Sequence, residues 1–335
     1  MRGSRIGIDK IIGAAQHDKK GLGFNVDSKP SSSRLQITEK VKQNIEHGRF
    51  VKACQQPSQG RWTNWNDIQV RELSWKDLWN ISDKRISMMI KSAYNVLGTP
   101  ANLKAWKLQD DDTCDLCSHS PCNLKHILSA CKVALVEGRY TWRHDKVLHC
   151  IVSSIECTVK AHNEKPVLPK TNAINFLRTG EKAKVKKEAR TSVLGVGDDW
   201  TVMSDLNTQL VVPTEIAITS LRPDIVIVSK KTRCVVMCEL TCPWEENAEW
   251  AHERKLGKYE DLKNEARDNG WNARVYAVEV GCRGFASSAL RGFLTAIGSS
   301  NKKIKSTIEE CCAVAEKCSV EIYMRRKDRW SLQGE

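Results

Sequence analysis

The sequence contains no apolar run that approaches the roughly 18 consecutive residues needed to span a bilayer. Its first residues also lack the continuous apolar core of a secretory signal peptide. We therefore expect no membrane span and a reducing, intracellular environment, where the 14 cysteines serve as metal ligands or small core residues rather than in disulfides. Hydrophobic residues are also few, at 41%, but 11 tryptophans argue against a disordered chain.

Acidic residues are too few to balance the basic ones. The chain has 53 Lys and Arg against 40 Asp and Glu, which gives a formal net charge of +13 and a pI of about 9.1. Such a surplus is typical of proteins that bind a polyanion, so we expect DNA, or alternatively RNA, as the partner. The alternative explanation of this positive charge is a generally basic protein surface. The run KAKVKK at 182–187 fits a nuclear import signal, although such runs are more often solvated loops, and the expected compartment is the nucleus.

Composition and periodicity divide the chain into five predicted segments. The N-terminal part is polar, with flexible breaks, and a helical pattern follows it from a capping-box-like pair, Ser74 and Asp77. Prolines and charges at about 165–195 indicate an insertion. The predicted segments are a flexible polar segment (1–73), a helical linker (74–110), a Cys/His cluster (111–138), an α/β domain (139–300) and a basic helical tail (301–335).

Four runs in the α/β domain have the composition of β-strands. They are DWTVMSDLN (199–207), PDIVIVS (223–229), RCVVMCEL (233–240) and ARVYAVEVG (273–281). A helical pattern at 245–268 lies between the last two, and another helix is expected near 139–160. The fold class expected from this pattern is α/β, with a mixed sheet flanked by helices.

Cysteine and histidine are concentrated in the run CDLCSHSPCNLKHILSAC, residues 114–131. A C-x2-C-x8-H-x4-C pattern is formed by Cys114, Cys117, His126 and Cys131. The close cysteine pair suits a turn that aims two thiolates at one ion. Four nitrogen and sulfur ligands with no open position describe structural zinc. His119 and Cys122 are alternative ligands, so the exact set stays open at this point.

The helix predicted after this cluster carries side chains suited to phosphate contact. The candidate nucleic-acid-binding residues are Arg139, Arg143, His144 and Lys146. From composition alone, a solvated helix face is the better interpretation of Arg143, His144 and Asp145.

Two acids stand at the outer ends of the second and third predicted strands. With a two-residue turn at Lys230 and Lys231, Asp224 pairs with Met237, and Glu239 is its diagonal neighbour on the same face of the sheet. A four-residue turn keeps both acids on one face. Two carboxylates at the ends of apolar strands repel one another unless a cation lies between them, and oxygen ligands favour Mg²⁺ or Mn²⁺. Exposed acids at strand ends are the alternative.

Metal-dependent nucleases with such a hairpin usually carry a lysine two residues after the second acid, where this chain has Thr241. At about 100° per residue, Lys255 lies at the centre of the apolar stripe of the helical pattern 245–268, and Lys258 lies at its edge. We therefore predict that Lys255 reaches the sheet edge. A lysine that extends from a helix–sheet seam into solvent is the alternative.

The order of these motifs resembles the C-terminal part of non-LTR retrotransposon proteins that carry a restriction-enzyme-like endonuclease. In that family a Cys-Cys-His-Cys knuckle, an Arg-His pair, a Pro-Asp, a second acid and a Lys/Tyr helix follow one another. The match covers roughly residues 74–285, and the polymerase half, with its Tyr-x-Asp-Asp motif, is absent from this sequence. The matching residues are the four cluster residues above, Arg143, His144, Pro223, Asp224, Glu239, Lys255 and Tyr259.

The resemblance implies a restriction-endonuclease-like fold of the PD-(D/E)xK type over 139–300, preceded by a structural zinc knuckle and a helical N-terminal region. It implies that Mg²⁺ or Mn²⁺ is held by Asp224, Glu239 and the carbonyl of Leu240, and that Lys255 and Tyr259 act with them in cutting DNA. The alternative is a catalytically inactive nucleic-acid-binding fragment of a truncated or domesticated element. A zinc module that binds RNA or protein explains the cysteines but not the acids of the hairpin.

Overall fold

The structure is a computed structural model that describes residues 30–330, except for 66, 72, 165–191, 196 and 207. Its contacts divide the chain into two units, 1–64 and 65–335. In the described part of the first unit, helix α1 (Pro30–Cys54) precedes a short 3-10 helix, Arg61–Asn64. The sequence predicted a flexible segment over 1–73, and 30–54 of that range are helical. The predicted insertion and the run at 182–187 lie almost entirely outside the described residues.

Three short helices open the second unit: α2 (Trp75–Trp79), α3 (Asp83–Ala93) and α4 (Pro100–Ala105). Helix α2 begins at the capping box that the sequence indicated, because the Ser74 hydroxyl accepts from the Asp77 N–H while the Asp77 carboxylate accepts from Ser74. Helix α4 begins with a Thr99 cap and a proline in its first turn. The segment predicted as a helical linker therefore contains helices.

A π-helical turn (His126–Ala130) and helix α5 (Lys132–Val136) lead into α6 (Arg139–Asn163), a long helix close to the one predicted near 139–160. The predicted boundaries near 110, 138 and 300 all fall inside the second unit. The C-terminal segment contributes helix α10 (Asn301–Met324), which packs against α6. The Ser154 and Thr307 hydroxyls are joined there by a 2.7 Å hydrogen bond. The predicted tail is therefore part of the folded unit as far as its described residues extend.

The sheet of the described residues has four strands in the order β1–β2–β3–β4. These are β1 (Thr201–Ser204), β2 (Ile225–Ser229), β3 (Cys234–Thr241) and β4 (Asn272–Glu279), and each lies within one of the four predicted runs except for the last residue of β3 and the first of β4. The pairs β1–β2 and β2–β3 are antiparallel, and β3–β4 is parallel. The α/β class and the mixed sheet flanked by helices are thus confirmed.

The crossover that a parallel pair needs is supplied by a 3-10 turn (Glu245–Asn247) and two helices, α7 (Ala248–Lys258) and α8 (Glu260–Asp268). The sequence predicted one continuous helix over 245–268, whereas the structure breaks it at Tyr259. After β4, helix α9 (Ser288–Ala296) precedes α10.

Both faces of the sheet are buried, because successive side chains of a strand point to opposite faces and helices cover each side. On β2, Ile225 and Ile227 belong to the core shared with α6, α9 and α10, while Val226 and Val228 belong to the core shared with α8. Full burial of each such side chain contributes about 1.5–3 kcal/mol. The continuous apolar run in the sequence is explained by this double coverage. Among the described helices, none is long and apolar enough to cross a membrane.

Candidate functional site

The turn between β2 and β3 has four residues. Ser229 pairs with Cys234, so 230–233 form the loop, and the Arg233 N–H donates to the Lys230 carbonyl across it. Arg233 has a φ of 50°, a left-handed backbone conformation that residues other than glycine adopt infrequently. The sequence had predicted a two-residue turn at Lys230 and Lys231.

The longer turn changes which residues face each other. Ile225 pairs with Cys238, so the next step of the register puts Asp224 opposite Glu239. The prediction that Asp224 pairs with Met237 is wrong, because two extra turn residues shift the register. The shift is an even number, so both acids stay on the same face, and they are direct rather than diagonal neighbours.

Asp224 is held by a backbone donor and a histidine. Its Oδ2 accepts a 2.6 Å hydrogen bond from the Leu240 N–H and lies 3.3 Å from Nε2 of His144. Nδ1 of His144 lies 3.0 Å from Asp145 Oδ1. His144 therefore bridges the carboxylates of Asp145 and Asp224, which are 79 residues apart in the chain. The predicted contribution of Leu240 was its carbonyl, whereas the contact in the structure comes from its N–H.

Glu239 is buried and contacts a lysine and a tyrosine. Its Oε1 lies 2.5 Å from Lys255 Nζ and 3.7 Å from Lys258 Nζ, and its Oε2 accepts a 2.7 Å hydrogen bond from the Tyr259 hydroxyl. The same hydroxyl lies 2.8 Å from the Arg222 carbonyl, and Tyr259 is almost fully buried. Both oxygens of Glu239 are thus partnered, and a cation that binds there replaces or shares these contacts.

Burial and neighbouring carboxylates set the charges of this site. Burial lowers the pKa of His144, but its hydrogen bonds to Asp145 and Asp224 outweigh that effect and raise the pKa to about 11. Burial and the hydrogen bond to Glu239 raise the pKa of Tyr259 well above its ordinary value. At neutral pH, His144 is therefore a cation beside Asp224, and Tyr259 is a neutral hydrogen-bond donor to Glu239.

Both of the predicted phosphate-binding arginines lie in the protein interior. Arg139 is fully buried and donates to the carbonyls of Arg325 and Asp328, and Arg143 is buried and donates to the Ser319 hydroxyl. The expectation that these two side chains contact phosphate is not met, because internal acceptors hold their guanidinium groups. Lys146 is half-buried. His144 is also half-buried, and its Nε2 faces Asp224.

The predicted zinc ligands form a compact cluster. The ligand atoms of Cys114, Cys117, His126 and Cys131 all lie within 4.8 Å of one another. The sulfurs of Cys114 and Cys131 are 3.9 Å apart, and Cys117 Sγ lies 3.3 Å from His126 Nε2. Zn–S bonds of about 2.3 Å in a tetrahedron place two sulfurs about 3.8 Å apart. The cluster can therefore hold a metal ion such as zinc.

Hydrogen bonds from outside the cluster hold His126 and the backbone at Ile127 and Cys131 in place. The His126 N–H donates to the Asn123 side chain, and the Tyr140 hydroxyl donates to the Ile127 carbonyl and accepts from the Cys131 N–H. Burial, with a contribution from His119, lowers the pKa of His126, so its ring is neutral near pH 7, as a metal ligand must be.

The alternative ligands are near the cluster but outside its set. The ring of His119 stacks on that of His126 at 4.6 Å, and Cys122 is a buried thiol whose pKa is raised, chiefly by burial. The group whose ligand atoms all lie within 4.8 Å of one another contains neither of these two residues. The geometry therefore favours the ligand set with His126 and Cys131 over the alternatives.

A further polar group on the same sheet face was not singled out from the sequence. Glu279 of β4, the register partner of Thr241, accepts a 2.8 Å hydrogen bond from the Ser287 hydroxyl and lies 3.0 Å from His252 Nδ1. Burial raises the pKa of Glu279. In the sequence, His252 lies three residues before Lys255. This histidine is the signal that could have indicated the contact with Glu279.

Comparison with models of known protein families finds no match for this chain, and comparison with curated proteins finds none either. The functional assignment therefore depends on the geometry of the two sites: a metal-binding Cys/His cluster, and a pair of carboxylates with a lysine at one end of a β-hairpin.

Proposed function

We propose that the chain is a metal-dependent DNA endonuclease that hydrolyses phosphodiester bonds. The single observation that carries the proposal is the convergence of Asp224, Glu239 and Lys255 at one end of the β2–β3 hairpin. Two acids that face each other across a hairpin, with a lysine beside them, are a donor set suited to phosphodiester cleavage with Mg²⁺. The proposal includes a restriction-endonuclease-like fold and an origin in a non-LTR retrotransposon.

The donor set fits the proposed metal. Asp224 and Glu239 supply hard oxygen ligands from adjacent strands, and the register keeps them within reach of one ion. When bound there, Mg²⁺ or Mn²⁺ supplies a water with a lowered pKa and neutralises charge on the scissile phosphate. The Leu240 N–H fixes one oxygen of Asp224, which leaves the other for the ion.

Lys255 and Tyr259 have separate roles in this proposal. Lys255 Nζ lies at the solvent-accessible side of Glu239, with about a fifth of its side chain exposed, so it is placed to neutralise phosphate charge as it develops. Tyr259 is buried behind Glu239 and orients that carboxylate. His144 orients Asp224 from α6, which makes it a positioning residue.

The Cys/His cluster has a structural role in the proposed protein. We propose that its ion is zinc, because three cysteines and one histidine complete a tetrahedral set and leave no position for water or substrate. Tyr140 on α6 joins the cluster to the helix that carries His144. Zinc would therefore stabilise the N-terminal end of α6.

A second candidate function is binding of nucleic acid without cleavage. The observation that favours it is the full partnering of Glu239 by Lys255 and Tyr259, which neutralises the buried carboxylate without a metal. The net charge of +13 fits either function.

Nicking of supercoiled plasmid distinguishes the two candidates. Purified protein is incubated with plasmid and Mg²⁺ or Mn²⁺, and with excess chelator as a control. An endonuclease produces open circles only with metal, and Asp224→Asn abolishes the nicking while DNA binding persists. Binding with no nicking under any metal, by a folded wild-type protein, supports the second candidate instead.

A further inference from the structure

Helix α7 carries a row of exposed side chains beside the seam that holds Lys255. Trp250, Arg254 and Lys258 are four residues apart, so they lie on one side of the helix. The Arg254 guanidinium carbon lies 4.9 Å from the centre of the Trp250 ring. At the other end, Lys258 Nζ lies 3.7 Å from Glu239. The row therefore runs from an exposed indole to the candidate catalytic centre.

Trp250 is 62% exposed, which is unusual for so large an apolar side chain. Arg254 lies against the ring, and the exposed part of the indole remains available for a second stacking partner. Nucleic-acid bases stack on aromatic side chains, and arginine adds to this attraction. Paired bases inside a duplex are already stacked on their neighbours, so Trp250 can accept only an unpaired or extruded base.

Spacing along the helix relates the indole to the bond that would be cut. Trp250 and Lys258 are eight residues apart, which corresponds to about 12 Å along the helix axis. A stacked strand advances about 3.4 Å per nucleotide, so this distance spans roughly three to four nucleotides. Trp250 would therefore meet a base a few nucleotides from the scissile phosphate.

Gly257 leaves space for a backbone on the same side of the helix. A Cβ placed there would meet no protein atom within 4 Å, so packing does not require glycine at this position. Gly257 is the next-to-last residue of α7, and glycine is typical of sites where a ligand backbone approaches closely. Gly257 lies between Arg254 and Lys258 in the chain, three residues after the first and one before the second.

Charge separates the two exposed sides of α7. At about 100° per residue, Glu249 and Glu253 lie roughly 100–140° away from Arg254 around the helix. All three are exposed. A polyanion is therefore attracted to the edge of the row with Arg254 and Lys258, whereas Glu253 borders the other edge, about 40° from Gly257 and about 60° from Trp250.

We propose that Trp250, Arg254, Gly257 and Lys258 form a track for a DNA strand with unpaired nucleotides next to the cleaved bond, in which Trp250 stacks on an unpaired base. This inference rests on the proposed endonuclease function, because the candidate catalytic centre defines one end of the track. It makes Trp250 a determinant of substrate choice and assigns to Arg254 a phosphate contact.

Binding measurements without added Mg²⁺ test the track separately from catalysis. The full chain is titrated into a labelled short duplex and into the same duplex with a gap of a few unpaired nucleotides, with fluorescence anisotropy as the readout. Wild-type protein should bind the gapped DNA more tightly. Trp250→Ala should weaken binding to gapped DNA by about tenfold, through loss of one base stack, and leave binding to the intact duplex unchanged.

Three further variants sharpen the test. Trp79→Ala removes a tryptophan of α2 that is more exposed than Trp250, at 86%, and should change neither affinity. Arg254→Ala should weaken binding to both DNAs and reduce the slope of log affinity against log salt by about one. Gly257→Ala should raise the melting temperature, because alanine favours the helix, and weaken binding to gapped DNA.

The outcomes separate the track from the nuclease. If Trp250→Ala binds the gapped DNA, as well as the intact duplex, with the same affinity as wild type, the track is overturned. This holds whether or not the protein nicks plasmid. If the gapped DNA is preferred through Trp250 but no metal supports nicking, the track stands and the proposed catalysis fails. Should Trp250→Ala fold poorly, Trp250→Leu and Gly257→Ala decide the question, and unchanged binding by both overturns the track.

Discussion

Lys255 on α7 and Glu239 on β3 form a 2.5 Å ion pair that joins the helix to the sheet. The lysine thus approaches the carboxylate from a neighbouring helix, while Thr241 stands two residues after Glu239 on the same strand face. The Thr241 hydroxyl oxygen is buried, and among the described residues it has no hydrogen-bond partner. The cationic group beside Glu239 is therefore supplied by α7 and not by the strand position two residues after Glu239.

We expect Lys255→Ala to reduce the nicking rate by about 100- to 1,000-fold, or about 2.7–4 kcal/mol, as removal of one preorganised donor does. Lys258→Ala should have a much smaller effect, because Lys258 Nζ lies 3.7 Å from Glu239 and its side chain is more exposed. Single-turnover rates on plasmid measure both. DNA affinity should change little in Lys255→Ala, because this lysine is paired with Glu239, whereas Lys258→Ala removes a cation of the DNA track and should weaken DNA binding modestly.

Adding Thr241→Lys to Lys255→Ala should restore part of the lost rate, because residues 239 and 241 share a strand face. An active wild type whose rate survives both lysine substitutions would rule out a role for either lysine. If Lys258→Ala is the more damaging change, the catalytic lysine is Lys258.

His144→Ala should raise the Mg²⁺ concentration needed for half-maximal nicking. His144 holds Asp224 in place through a 3.3 Å contact, and loss of a group that orients a metal ligand typically costs about 10–100-fold in metal affinity or activity. A Mg²⁺ titration of the nicking rate measures the effect, and saturating metal should recover much of the rate. His149→Ala, five residues further along α6 on an exposed position, serves as the control. An unchanged Mg²⁺ requirement in the His144 variant would exclude this positioning role.

Local patterns predicted much of the site, and long-range contacts supplied the rest. The helical period placed Lys255 at the centre of the buried stripe, and it does face the sheet. No local pattern indicates that His144 meets Asp224, since 80 residues separate them. The burial of Arg143 was also missed, because charged residues lie at the surface unless internal partners hold them, and those partners are distant in the chain.

The residues of the β2–β3 turn explain why the register of these two strands was predicted incorrectly. A two-residue hairpin turn is favoured when residues with positive φ, such as asparagine and glycine, occupy it, and this turn has neither. The chain instead uses four residues and places Arg233 in the left-handed region. Sequence composition therefore predicted the strands but not the exact pairing of Asp224 with Glu239.

We expect purified protein to contain one tightly bound zinc ion per chain, because the four ligands close a tetrahedral site. Elemental analysis measures the metal directly. Cys117→Ser should lose the zinc and lower the melting temperature, whereas Cys157→Ser, at an exposed cysteine of α6, should change neither. Folded wild-type protein with far less than one equivalent of zinc would contradict the assignment.

DNA binding should weaken steeply with salt, because the chain carries a net charge of +13. If about six phosphates are contacted, affinity falls by roughly a thousandfold between 50 and 200 mM salt. Anisotropy titrations at several salt concentrations give the slope. A flat dependence would mean that the positive charge serves another purpose.

The buried pair of Arg283 and Glu245 should govern the stability of the region that leads into α7. Arg283 Nε lies 2.6 Å from Glu245 Oε2, both side chains are almost fully buried, and the guanidinium carbon lies 3.6 Å from the centre of the Trp244 ring. Arg283→Met leaves the Glu245 carboxylate buried without its cation, which should cost about 3–5 kcal/mol of unfolding free energy. Denaturant unfolding at neutral pH measures this loss.

The exposed pair of Lys231 and Asp198 is the matched control for that buried pair. Its atoms are separated by a similar distance, 2.7 Å, but both side chains are largely in solvent. Lys231→Ala should therefore change the free energy of unfolding far less than Arg283→Met does. Combining Arg283→Met with Glu245→Leu should recover part of the stability that the single arginine change removes, since no unpaired charge is then left in the interior. If the double variant is no more stable than Arg283→Met alone, the loss comes from the contacts of Arg283 with Trp244 and Trp65 rather than from the unpaired carboxylate.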